Sequence, residues 1–266
     1  AYAASSAMQL GFWQLKSSYA DADAASIQRQ RQLDIGKLIT DLEGDPTANW
    51  LAAMSIGSDL LDPDPDVLIY RCEDLWNAEG SPEPVSLNAK QAKQIAFLQG
   101  QKEPTLAIGE VGGSVALYAI GDENKLIQRL EPGEFNNANH IDVLVTIATQ
   151  AGDVILAGSS IGTMLWWQYA DANEHKRWNF GHNEITDIDL SSEGRWAAAG
   201  TGNGSVWLCD TAAAEGKGAI QLVANSGAVE SIRLDPTGNW LIAGCEDGTI
   251  EVWARRHLKL MTTVAI

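Results

Sequence analysis

Cysteine is scarce. Only Cys72, Cys209 and Cys245 occur in 266 residues. An odd count this small makes no disulfide framework and fits a reducing, cytoplasmic compartment. Cations are short as well: 18 Lys and Arg stand against 35 Asp and Glu, a net charge of −17. Nucleic-acid binding needs clustered cations, and so does docking on an anionic membrane, so neither is expected. No stretch reaches the ~18 apolar residues of a membrane span. The first twenty residues come nearest, and Ser5, Ser6, Gln9, Gln14 and Lys16 interrupt them. The initiator Met is missing too, which leaves room for an upstream anchor or domain. The four histidines, His140, His175, His182 and His257, show no metal-ligand spacing, and no cysteine pair has zinc spacing. No phosphate-binding loop is present. The expectation is therefore no cofactor, no resident metal and no catalytic constellation.

What is present divides in two. Val, Ile and Thr total 8 in residues 1–83 and 37 in 84–266, and Gly rises from 5 to 20. β-Branched residues suit strands and Gly suits tight turns. The second part thus reads as β, with a boundary near Gly80-Ser81-Pro82-Glu83-Pro84. The first part reads as a small helical adaptor. Ile35, Leu38, Ile39 and Leu42 stand at i, i+3, i+4, i+7, the spacing of one apolar helix stripe. Segments 46–61 and 66–78 follow as further helices. The competing reading of 1–83 is two irregular β-blades, because Asn49-Trp50-Leu51 echoes Asn239-Trp240-Leu241.

The second part repeats. Gly pairs four apart fall at Gly109/Gly113, Gly158/Gly162, Gly200/Gly204 and Gly244/Gly248. Ser or Thr follows the second Gly each time, then an apolar residue, then an aromatic-bearing strand (Tyr118, Trp166-Trp167, Trp207, Trp253). Three copies carry a further Gly six residues earlier: Gly152, Gly194 and Gly238. Four-stranded units of ~40–45 residues are the signature of propeller blades.

Residues Gly181-His182 through Asp210, and Val229 through Trp253, resemble the WD-repeat β-propeller family, and the resemblance extends over residues ~85–266. Only one Gly-His pair occurs, at His182, and its hairpin carries Asn203 where the family often has Asp. The last unit has Asp247 but no His, so the family's buried His–Asp network is incomplete. The expected fold is mainly β: at least four WD-repeat-like blades over 84–266, preceded by the helical segment. The resemblance implies a ring of more than four blades. Further residues, another chain, or 1–83 would then complete it.

Other motifs have plainer readings. Asp62, Asp64, Asp66 and Glu73 hold positions 1, 3, 5 and 12 of a calcium-loop window. Val67 stands where that loop needs Gly, so the segment reads as an acidic turn. Gly158-Ser159-Ser160-Ile161-Gly162 spells a nucleophile elbow. It falls in the repeat's hairpin, which explains it without catalysis.

The resemblance implies a non-enzymatic protein-interaction scaffold, within a multi-subunit assembly or a larger polypeptide. The alternative is the sensor part of a larger bacterial signalling enzyme with an upstream NTPase, caspase-like protease or kinase. The loops Glu131–His140 and Trp178–Asn183 should share one face with the hairpins around Gly162, Gly204 and Gly248. Phe135, Trp167, Trp178, Phe180 and His182 are the expected partner-binding residues there, and the acidic balance suits a basic or mixed-charge partner.

Overall fold

The structure is a computed structural model. It describes residues 2–6, 9–15, 27–34, 38–56, 65–77, 82–89, 91–132, 140–223, 227–257 and 259–265, with side chains from residue 38 onward except those of 172–175, 223, 259, 260 and 265. The first sheet has three strands, β1 (Tyr2–Ser6), β2 (Gln9–Leu15) and β3 (Ile27–Asp34). Five four-stranded antiparallel sheets follow. Sheet two holds β4 (Leu38–Gly44), β5 (Trp50–Ile56), β6 (Pro65–Arg71), the one-turn helix α1 (Cys72–Asn77) and β7 (Val85–Leu87). Sheet three holds β8 (Ala92–Phe97), β9 (Thr105–Glu110), β10 (Val115–Ala119) and β11 (Lys125–Leu130). Sheet four holds β12 (Ile141–Thr149), β13 (Gly152–Ser159), β14 (Thr163–Gln168) and β15 (Asp171–Asn179). Sheet five holds β16 (Ile185–Leu190), β17 (Trp196–Thr201), β18 (Ser205–Asp210) and β19 (Ala219–Val223). Sheet six holds β20 (Val229–Leu234), β21 (Trp240–Cys245), β22 (Thr249–Ala254) and β23 (Lys259–Ala265). Each sheet is an up-and-down meander, and the first strands β4, β8, β12, β16 and β20 pack against one another in that order.

This overturns the helical reading of the N-terminal part. Residues 38–44 and 50–56 pair as strands, with Ile39 opposite Ser55 and Leu42 opposite Ala53. Of the third expected helix only α1 forms, and Leu75 is its buried residue. The described residues of this segment form one three-stranded and one four-stranded sheet instead. The echo that suggested blades here is a real structural repeat. In Asp45-Pro46-Thr47-Ala48-Asn49-Trp50, Asp45 accepts hydrogen bonds from the backbone N–H of Thr47 (2.9 Å) and Trp50 (2.5 Å). Asp235 does the same for Thr237 (3.1 Å) and Trp240 (2.5 Å). Ala48 even takes the left-handed φ of +58° where the later copy has Gly238 at +64°.

The helix-like spacing has a physical cause. The first strand of every four-stranded sheet carries a β-bulge at the same place, where the register slips at Ile39/Asp41, Ala92/Gln94, Ile141/Val143, Ile185/Asp187 and Val229/Ser231. A bulge inserts one extra residue and reverses the in–out parity beyond it. Residues three apart then face the same core. Ala92 joins Ile95, Ile141 joins Leu144, Ile185 joins Ile188, and Val229 joins Ile232. Ile39 and Leu42 form the same pair in sheet two, and they supplied the apparent helical stripe.

The core is a series of layers between consecutive sheets. Phe97, Leu106 and Ile69 fill the layer between sheets two and three. Leu117, Ile141 and Trp167 fill the next, then Trp178, Ile188 and Cys209, then Val206, Ile232 and Trp253. A knob and a socket recur at the layers. A Cβ on Gly109 would stand 2.6 Å from Ile141 of the next sheet, and one on Gly158 2.7 Å from Ile185. Val229 crowds Gly200 more closely still. Sheet two exchanges the sizes: Met54 opposes the residue after the bulge, and the next sheet answers with the small Ala92 in the same cluster. Polar clamps cross the layers as well. Asp41 accepts from the N–H of Ile95 (2.9 Å), Asp187 from that of Ile232 (2.8 Å) and Asp189 from that of Leu234 (2.7 Å). Each replaces solvent at a backbone donor that the bulge or strand end leaves free.

Candidate interaction face

In sheets three to six the segment entering the first strand is tied to the hairpin between the second and third strands of the same sheet. The N–H of Val111 donates to Gln91 O (2.8 Å), that of Ser160 to His140 O (3.1 Å), that of Gly202 to Glu184 O (3.1 Å), and that of Glu246 to Ala228 O (2.9 Å). Phe180 N–H likewise donates to Gly162 O (2.8 Å). Entry loops and hairpins therefore lie on one face, as the repeat implied. Gly162 shows why glycine stands in these hairpins. Its φ is +78°, and a Cβ would lie 2.7 Å from Asn183 O and closer still to Gly181 O. The hairpins are closed from within. Ser159 Oγ accepts from the N–H of Thr163 (3.0 Å), and Asp247 from that of Thr249 (2.9 Å). The elbow-like serine string is thus a turn. In sheet three the same place holds a buried carboxylate: the exposed Arg129 donates to Glu110 through two bonds of 2.8 and 2.7 Å, and Ser114 adds a third of 2.8 Å.

The five bulges aim a row of side chains. The extra residues are Thr40, Lys93, Asp142, Thr186 and Glu230, one polar residue per sheet, at equivalent places on the innermost strands beside the entry loops. Bulges commonly re-aim a side chain in this way next to functional sites. Thr186 is held by donating to Val229 O of the next sheet. Asp142 is the centre of the row. Its Oδ1 lies 3.3 Å from His140 Nε2. Burial raises its carboxyl above the ordinary carboxylate value. His140 opposes that shift, Glu184 adds to it, and Lys93 opposes it. Glu184 and Lys93, from the neighbouring sheets, thus act on the same carboxyl as His140. The second oxygen, Oδ2, is shielded and has no hydrogen-bond donor among the described residues. A shielded carboxylate oxygen without a donor is a cost to the fold, and a modest side-chain movement would offer it to an N–H. Among the described residues no three His, Cys, Asp or Glu side chains stand as metal ligands.

The expected partner-binding residues scatter. Trp167 is fully buried between sheets three and four. Its neighbour Trp166 faces the opposite layer and is also buried, so neither ring is the less enclosed one. Trp178 is 1% exposed and donates its indole N–H to Lys217 O at 3.0 Å. Phe180 is buried and stacks on Trp207 with centroids 4.7 Å apart. Trp167, Trp178 and Phe180 are core residues: β15 runs as far as Asn179 and pairs Trp178 with Met164, so the expected loop begins only at Phe180. His182 is exposed on the face. Phe135 lies outside the described residues, as do Asp62 and Asp64 of the acidic window, while Asp66 stands on β6 and Glu73 on α1. The bulge row went unseen in the sequence because a bulge leaves no residue signature. Its one trace is a polar residue directly after the first buried aliphatic of each unit.

Comparison with known proteins bears on this architecture. The family model described as WD domain, G-beta repeat matches residues 175–210 and 219–254, which cover most of sheets five and six. No curated protein sequence matches the chain. Among solved structures, Sqt1 from Chaetomium thermophilum bound to the N-terminus of the ribosomal protein L10 is similar, with a TM-score of 0.71 at 15% identity. The match covers 87% of this chain and 64% of that one. A second structure of Sqt1 from the same organism gives 0.71 at 16% identity, over 87% and 62%. The chain thus spans less than two thirds of the length of these structures. The fold is mainly β, built of WD-repeat-like propeller blades.

Proposed function

We propose that the chain is a non-enzymatic protein-interaction platform, working inside a larger assembly in the cytoplasm. It engages a basic or mixed-charge protein segment on the face formed by the entry loops, the glycine hairpins and the bulge row. One observation carries the reading: five successive inner strands each spend a bulge on a polar side chain beside the loops, and the central one, Asp142, holds an oxygen without a donor among the described residues. His182 would lie at the rim. Glu184, Glu246 and Asp247 give that face its acidic sign, which steers a basic partner. A structurally similar chain bound to the N-terminus of another protein supports a peptide-like segment as the target. The enzyme-sensor alternative leaned on a helical adaptor, and residues 38–87 form a blade instead.

The test uses the natural partner, co-purified with the chain and titrated back. Asp142→Asn with Glu184→Gln keeps shape and removes charge. It should weaken binding at least tenfold, about 1.4 kcal/mol, with no change in the unfolding curve, and raising the salt concentration should slow association. A folded double variant that binds with unchanged affinity would defeat the reading.

A further inference from the structure

Opposite charges stand side by side on the interaction face without pairing. Lys93, the bulge residue of β8, is exposed. It takes part in no ion pair among the described residues. One sheet further on, Asp142 is the bulge residue of β12, and Lys93 still acts on its carboxyl. The two charges are neighbours that stand too far apart to neutralise each other. Glu184, exposed in the entry to β16, acts on the same carboxyl from the other side with the opposite sign. From sheet three to sheet five the face therefore presents cation, anion, anion. The other charged groups here are engaged. Glu110 on the sheet-three hairpin is held by Arg129, and His140 sits against Asp142 Oδ1. Stacked sheets lie about 10 Å apart, and an extended chain advances ~3.3–3.6 Å per residue. One step from sheet to sheet thus spans about three residues of a bound segment.

We propose that the segment bound on this face is of mixed charge, with an acidic residue over Lys93 and a basic residue three positions away between Asp142 and Glu184. Such a partner presupposes the interaction face proposed above. Of the two kinds allowed there, basic or mixed, Lys93 selects the mixed one. A purely basic segment would set a like charge over Lys93 or cover the ammonium without a partner, and both oppose docking. An acidic side chain makes Lys93 an attractive contact, and the spacing brings its basic neighbour to the Asp142 carboxylate. The net charge of −17 draws cations from a distance. Lys93 acts at contact and sets the register of the segment.

The test is the sign of one charge change. Lys93→Glu is made in the full chain and titrated with the co-purified natural partner. It is also titrated with two synthetic peptides in a Gly-Ser background. One carries Arg and Asp three positions apart, and the other carries Arg at both places. Affinity for the natural partner should fall at least about fivefold, although the variant chain is the more acidic. The wild-type chain should prefer the Arg/Asp peptide, and Lys93→Glu should move the ratio of the two affinities about tenfold toward the Arg/Arg peptide. Setting Asp next to Arg should abolish the wild-type preference. Lys93→Gln, which removes the charge without reversing it, should act in the same direction and less. A natural partner that binds Lys93→Glu more tightly, as a purely basic one would, overturns the inference. So does a peptide ratio that Lys93→Glu leaves unchanged, or a wild-type chain that binds neither peptide. The interaction face itself fails on a different result, unchanged binding of the natural partner by Asp142→Asn with Glu184→Gln.

Discussion

The Gly158–Ile185 contact allows an exchange experiment. A Cβ at position 158 would sit 2.7 Å from Ile185 Cγ2 and 3.1 Å from its Cβ, with Ile188 Cγ2 at 3.4 Å. A β-branched side chain cannot swing away, because its χ1 is fixed by the strand. Overpacking of this kind costs about 1–3 kcal/mol. Replacing glycine in a strand returns roughly 0.5–1 kcal/mol of backbone entropy, so Gly158→Ala should lose about 1–2 kcal/mol net. Ile185→Ala alone opens a cavity and should cost about 2–5 kcal/mol. The informative variant is Gly158→Met with Ile185→Ala, which copies the junction where Met54 meets the layer holding Ala92. If size is traded across the layer, this pair should recover at least ~1 kcal/mol relative to the sum of its single changes. The assay is urea unfolding of all four proteins, read as midpoints at constant slope. Additivity within about 0.5 kcal/mol would refute the idea that the two positions are coupled.

Three further outcomes are expected. Ala48→Gly relieves the left-handed strain that Gly238 avoids in the matching turn, so it should raise stability by about 0.5–1 kcal/mol, or ~1–4 °C in melting temperature. Burial first, and the neighbouring Asp41 second, push the Glu43 carboxyl up to about 7. The folded state then holds this proton more tightly than the unfolded state, so stability should fall as pH rises from about 4.5 to about 7 and level off above. Glu43→Gln should flatten that slope in thermal melts, by an order of 1–2 kcal/mol after screening at this half-buried group. Trp178→Ala should cost about 3–5 kcal/mol as a buried aromatic. A melting curve unmoved by it would contradict the core position of Trp178.

Much of the fold could be read from spacing because its punctuation is glycine. The Gly158–Gly162 and Gly200–Gly204 pairs mark hairpins that only positive φ can close, so sheets three to six were legible as strand–hairpin units. Sheet two was not, because its hairpin lacks that pair and its bulged first strand imitates a helix: Ile39 and Leu42 are three apart and still share a face. The turn at Asp45 was legible, since the same residues make the same bonds at Asp235. The interaction face was half legible. Its loops followed from strand order, yet the aromatics that drew attention, Trp178 and Phe180, belong to the end of β15 and to the layer beneath it. Asp142 was invisible, because nothing in a lone aspartate tells that a bulge has turned it toward the loops.

The exchanged sizes at Met54 and Ala92 have a bearing on how this chain can change over generations. Where every joint is alike, units can be duplicated, lost or shuffled, and each newcomer fits. Here one joint is keyed differently from its neighbours. A unit opening with Ile or Val, placed after sheet two, would collide with Met54. A unit opening with Ala92, placed after any glycine-bearing sheet, would leave an unfilled hole. The order of the units is thus written into pairs of residues on different repeats, so gene-level rearrangement across that joint is selected against while point changes drift freely elsewhere. Descendants of this chain should keep the Met–small pairing together or lose both members at once.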